Sequence, residues 1–255
     1  MGNVRRVVLK IGTSVLLDGD HRISSAMAKD FARQIKAAHD RSVSVIVVSS
    51  GAIACGMPAL DGAIEEVTVD AAGSIRVRVI GGGAPQGICG SGLIALLSEL
   101  LRTGRMNELG RFEEGGRIAL DPQGAVFFLE NDASELAQAK GAHVAGLQVV
   151  AGSYGVEFSD IEVFYLAGGF GHHLPVEAAT RIGLIPKLPP SRVVQAGNAA
   201  IEGASIMLLS MAKRTELEEM VRRVEHCRLE THPHFFDFFV EGCQFKPLEA
   251  VEVTG

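Results

Sequence analysis

The chain has 255 residues, 47% of them hydrophobic, with 30 glycines and a net charge of -6. That composition fits a folded α/β protein of one large or two small domains and excludes a disordered chain. The acidic balance argues against nucleic acid as a partner, because phosphate binding wants a basic surface. No apolar run reaches the roughly 18 residues of a membrane span. The first residues, MGNVRRVVLK, enter a strand at once rather than a signal peptide, so a cytoplasmic protein is expected. Cys55, Cys89, Cys227 and Cys243 form no CxxC pair and read as reduced thiols. The histidines lack a metal-ligand spacing, and no metal ligand is assigned.

In chain order, residues 4–11 (VRRVVLKI) read as a strand that turns at Gly12, Thr13 and Ser14. Ser24 is an N-cap candidate for a helix over 24–39, with Met27, Phe31, Ile35 and Ala38 at helical spacing. An apolar strand at 43–48 follows and ends on Ser49, Ser50, Gly51 and Ala52. Together these make a Rossmann-like βαβ unit. Residues 65–70 and 75–80 alternate like paired strands around a turn at 71–73. Gly87, Gly90 and Gly92 then open a helix whose core face is Leu93, Leu96, Leu97, Leu100 and Leu101. A glycine loop at a helix start serves either an anion or close packing, and both readings stand here.

Residues 127–130 form a short strand, and Asn131 or Asp132 caps a helix reaching residue 154, with Glu135 in capping-box position. One face of it carries Leu136, Ala139, His143, Gly146, Leu147 and Val150. Two buried strands come next. Residues 161–166 end on Gly168, Gly169 and Gly171, and residues 193–196 end on Gly197 and Asn198, with a helix over 199–210 after them. Strand ends stripped of side chains leave backbone N–H groups for a ligand. A charged helix over 216–225 precedes Phe235, Phe236, Phe238 and Phe239, which would plug a core or a homodimer seam.

Two resemblances can be attached to these residues. VVLKIGTSVL followed by VIVVSSGAIACGM resembles the opening of glutamate 5-kinase, of the amino acid kinase family. That likeness implies that Lys10 neutralises charge on a transferring phosphate, that Gly12, Thr13 and Ser14 cradle phosphates, and that Ser50, Gly51 and Ala52 hold the amino acid. It stops near Met57, and the later catalytic acidic residue and nucleotide half that this family needs are not recognised in the rest of the chain.

GMPALDGAIE, GGGAPQGICGSGLI, LAQAKGA, VFYLAGGFG, RIGLIP and VVQAGNAAIEGA resemble, in order and spacing, the C-terminal domain of the ATP-dependent reductive activators of corrinoid proteins. Those belong to the actin-like ASKHA superfold, and the likeness covers roughly residues 54–249. It implies an actin-like ATPase subdomain with a mixed sheet over 58–255, after a βαβ unit over 1–57. Gly168, Gly169 and Gly171 would form the adenosine turn, with Gly197 and Asn198 beside it. ATP with Mg²⁺ would be the cofactors and a corrinoid protein the partner, its cob(II)amide reduced to cob(I)amide. The family's iron–sulfur domain and acidic phosphate loops have no counterpart in this sequence, so the electron donor would act in trans. Three readings stand from sequence: such an activator, a glutamate 5-kinase-like enzyme, and an inactive fusion remnant or interaction module.

Overall fold

Leucine spacing in residues 93–100 decides the architecture. The computed structural model describes residues 6–11, 44–49, 59–224 and 227–249. The chain divides into two units, Met1–Pro58 and Ala59–Gly255. In the first, β1 (Arg6–Ile11) and β2 (Ser44–Ser49) pair in parallel, Lys10 opposite Val48 and Ile11 opposite Ser49. The helix expected over 24–39 lies outside the described residues.

In the second unit, β3 (Ala63–Val69) pairs antiparallel with β4 (Ile75–Val79) and parallel with the short β5 (Gly87–Ile88), a mixed sheet. Asp70 makes the turn between β3 and β4 by accepting from the N–H groups of Ala72 and Ser74 at 3.0 and 2.9 Å. Helix α1 (Gly90–Arg102) lies on β3, and Leu93, Ile94, Leu96, Leu97 and Leu100 are buried with Ile64 and Val67. Leu101, read as core, is only partly buried. Each buried aliphatic side chain contributes about 1.5–3 kcal/mol, so this stripe is the main hydrophobic anchor. Its end is stitched to β3: Glu99 accepts from the Val69 N–H at 2.8 Å, and Arg102 donates to the Val69 carbonyl at 2.6 Å. The Arg102 hydrogen bond, with help from the Val69 N–H, holds the Glu99 carboxyl below its ordinary pKa.

β6 (Arg117–Ala119) and β7 (Phe127–Leu129) form an antiparallel pair. Helix α2 (Glu130–Tyr154) starts earlier than its sequence signals suggest. Leu129 is the N-cap, and Asp132 accepts from the Leu129 N–H at 2.9 Å, so Asp132 closes the first turn instead of opening it. The buried face is also displaced. It comprises Ala133, Leu136, Lys140, Gly141, Val144, Ala145, Gln148 and Val149, whereas Val150 is exposed. Two polar residues in that stripe hide its period.

β8 (Phe164–Ala167) begins three residues later than expected, after a single turn at Phe158–Asp160. The short helices α3 (Gly169–His173) and α4 (Val176–Arg181) lead to β9 (Val193–Gly197). Ser210 both ends α5 (Ala199–Leu209) and caps α6 (Met211–Val221), accepting from the Lys213 N–H at 3.3 Å. The charged helix therefore begins well before residue 216.

Helix α7 (Phe235–Gly242) crosses α2 where both have glycine: a β-carbon on Gly141 would lie 2.6 Å from the Cys243 sulfur, and one on Gly242 2.9 Å from Val144. The residue that plugs the core is Phe245, 1% exposed, while Phe236 is 70% exposed.

Candidate functional site

β8 and β9 run parallel, with Phe164 opposite Val193, Leu166 opposite Gln195 and Ala167 opposite Gly197. Parallel pairing brings both carboxyl ends to one edge, the position where open α/β sheets bind ligands. At that edge the Gly168 N–H donates to the Gly197 carbonyl at 2.6 Å. Gly168 sits at φ 96°, a conformation that side chains resist, and a β-carbon there would meet nothing within 4 Å. The backbone is bare and the space beside it is open.

The surrounding residues hold this edge in place. A β-carbon on Gly171 would lie 3.0 Å from the Leu166 carbonyl carbon, so α3 rests directly on β8. The Gln195 amide donates to the carbonyls of Gly171 and Leu174 at 3.0 and 2.9 Å, fastening the end of α3 to β9. Asn198 caps α5, its side-chain oxygen accepting from the Ile201 N–H at 3.2 Å. Gly168, Gly169, Gly171, Gly197 and Asn198 are thus brought together. They present backbone and neutral amide groups.

The other glycine loop is different. A β-carbon on Gly92 would lie 2.2 Å from the Ile64 carbonyl oxygen, and one on Gly90 2.6 Å from the Phe170 ring. Close packing accounts for both, so of the two readings of this loop the structure favours packing. Cys89, at the N-cap of α1, is a buried core residue.

Of the residues expected to act on phosphate, Lys10 lies in β1, one position before its end. Gly12, Thr13, Ser14, Ser50, Gly51 and Ala52 fall outside the described residues. Among the described residues, no group of three His, Cys, Asp or Glu converges as a metal site. No ligand set for Mg²⁺ is found among the described residues.

Sequence reasoning missed one feature of the second unit, a cavity beside α2 bordered by Lys140 and Gln148. Its signal was a lysine and a glutamine eight residues apart on a face that is otherwise apolar.

Comparison with known proteins gives two unequal matches. Corrinoid activation enzyme RamQ of Eubacterium limosum is 31% identical over 215 residues, 74% of this chain and 36% of the relative. A solved structure titled reductive activator for corrinoid,iron-sulfur protein superposes with a TM-score of 0.68 at 31% identity, over 78% of this chain and 34% of that one. The chain thus spans about a third of the length of these relatives. Glutamate 5-kinase of Streptococcus sanguinis is 43% identical, but over only 56 residues, 22% of this chain and 15% of the enzyme. The family model described as C-terminal domain of RACo, the ASKHA domain, matches residues 48–253, and the chain belongs to that family.

Proposed function

We propose that the second unit holds the adenosine end of ATP at the edge formed by Gly168, Gly169, Gly171, Gly197 and Asn198, and serves in ATP-linked activation of a corrinoid protein. One observation carries this reading: in a member of the ASKHA family, the two glycine-ended parallel strands meet at one edge with open space beside Gly168. ATP binding would supply the free energy for reduction of cob(II)amide in the partner, with electrons from a donor in trans. The similarity to RamQ and to the reductive activator supports the partner class. Mg²⁺ would arrive with the nucleotide.

Calorimetric titration with Mg-ATP tests the reading, using two variants at Gly197. Its φ of 62° is one that Asn and Asp accept with little strain. Gly197→Asn should fold and bind, while Gly197→Asp, which sets a carboxylate to be desolvated against the neutral adenosine and repels the phosphates at longer range, should bind at least tenfold more weakly. Equal binding by both variants would remove the nucleotide from this edge, and no binding by the unaltered chain at millimolar ATP would sink the reading.

The amino acid kinase reading has one observation in its favour. The parallel register sets Lys10 opposite Val48, so both strands of the first unit end at the same edge. Glutamate-dependent ADP release from ATP, abolished by Lys10→Ala, would support it.

A further inference from the structure

A cavity of about 440 Å³ opens between α2 and the segment that follows α7, and no residue of the glycine edge lines it. That volume falls within the range of small-molecule sites. Its inner wall is a single stripe of α2: Lys140, Val144 and Gln148, each four residues apart and therefore on one face. Lys140 is 3% exposed and Gln148 8%. The rim carries the exposed carboxylates Glu108, Glu241 and Glu249.

The two polar wall residues differ in one respect. The Lys140 ammonium is already satisfied, since it donates to the carbonyls of Gly242 and Gln244 and stands 5.7 Å from the centre of the Phe245 ring. Gln148 is not. Both its amide nitrogen and its amide oxygen are buried without any hydrogen-bond partner among the described residues. Buried polar groups are nearly always paired, and an exception calls for an explanation. Neither atom is reached by solvent as the side chain stands, so pairing with a ligand in the cavity requires Gln148 to swing about its inner torsions into another staggered rotamer.

We propose that this cavity binds a small, neutral molecule through a primary carboxamide, paired edge to edge with the amide of Gln148. The chemistry selects this class. An amide offers a donor and an acceptor side by side, and its complement carries both as well. A carboxylate would leave the Gln148 oxygen facing another oxygen, and an ammonium would leave the nitrogen unpaired. The cavity's charges agree, because two lysines, Lys140 and Lys246, stand against three glutamates, an excess that disfavours anions.

The test uses the full chain with propionamide as probe and with propionate and propylammonium as charged isosteres, read by saturation-transfer NMR and by thermal shift. Millimolar propionamide should give saturation transfer and raise the melting temperature, with a response at least tenfold weaker from either isostere. Gln148→Leu should abolish the propionamide response without lowering the melting temperature, because it removes the unpaired amide. Gln148→Glu, which keeps the size and changes the hydrogen-bonding edge, should abolish the response too. A response that persists in either variant, equal responses to propionamide and propionate, or none to propionamide would each overturn the proposal. Nucleotide is left out of every sample, so the outcome is independent of what binds at the glycine edge.

Discussion

The two glycine-rich entries to helices, residues 87–92 and residues 168–171, look alike as text and differ in space. At the first, Gly92 has no room: a β-carbon would be driven into the Ile64 carbonyl. At the second, a β-carbon on Gly168 would meet nothing, and the residue is glycine because of its backbone angle. The first loop uses glycine to lay α1 on β3, and the second uses it to keep a strand end bare. Glycine therefore marks two opposite needs, contact and vacancy, and only geometry tells which one is served.

The strongest way to break that contrast is to put a side chain at the packed loop and another at the strand end paired with Gly168. Gly92→Ala should lower the unfolding free energy by about 3 kcal/mol, the upper end of overpacking costs, because the obstacle is backbone and cannot rotate away. Gly197→Asn at the open edge should stay within about 1 kcal/mol, since asparagine tolerates the left-handed region. Urea denaturation of both reads the difference directly. Equal losses would mean that the two loops are packed alike, and the open edge would lose its standing as a site.

Lys140 gives a second, smaller test, at a buried place beside a cavity. Burial pushes its pKa down from 10.5 to about 8. Between about 8 and 10.5 the unfolded chain keeps a proton that the folded chain has released, so stability rises with pH across that window. Below about 8 both states are charged and the cost of burying the ammonium is present in full. The gain from pH 7 to pH 10 should be of order 2 kcal/mol in the unaltered chain. Lys140→Met should lose that slope. It also strands the carbonyls of Gly242 and Gln244, so it should be the less stable protein at pH 10. Parallel pH profiles for the two proteins would mean that Lys140 does not titrate in this range.

Much of this was legible before the structure. The leucines of α1 declare their face because four of the five sit at core spacing and are truly buried. The glycine-ended strands were legible as parallel strand ends, and the order of six motifs pointed to the family that the comparisons show. Three features were not legible, each for a physical reason. The buried face of α2 was misread because Lys140 and Gln148 occupy it, and a polar residue in a buried stripe breaks the hydrophobic period on which such readings depend. β6 is three residues, too short to alternate visibly, whereas its partner β7 is legible as a strand over 127–130. The start of α6 at Met211, five residues before the expected 216, rests on Ser210 alone, which stops one helix and caps the next without a proline or glycine to announce it. The cavity at Gln148 was invisible for the same reason as the face it lines.

The contrast between packed and open regions extends to how their helices are held. Helix α1 has no side-chain hydrogen bond at its N-cap, Cys89, and needs none, because seven of its thirteen residues are buried. Helix α5, which leaves the open edge, has no buried residue, with Leu208 and Leu209 74% and 85% exposed. Packing cannot be what holds its first turn, and that falls to the Asn198 cap. Asn198→Ala should cost about 1 kcal/mol, as loss of a cap does, and the cost should be local. Amide exchange in the first turns of α5 should quicken roughly fivefold, the factor that 1 kcal/mol implies, while the amides of α1 keep their rate. If exchange quickens equally in both helices, Asn198 supports the whole fold and the edge is a structural joint. If it quickens in α5 alone, the edge is an independently adjustable place on a rigid floor, as a nucleotide site requires.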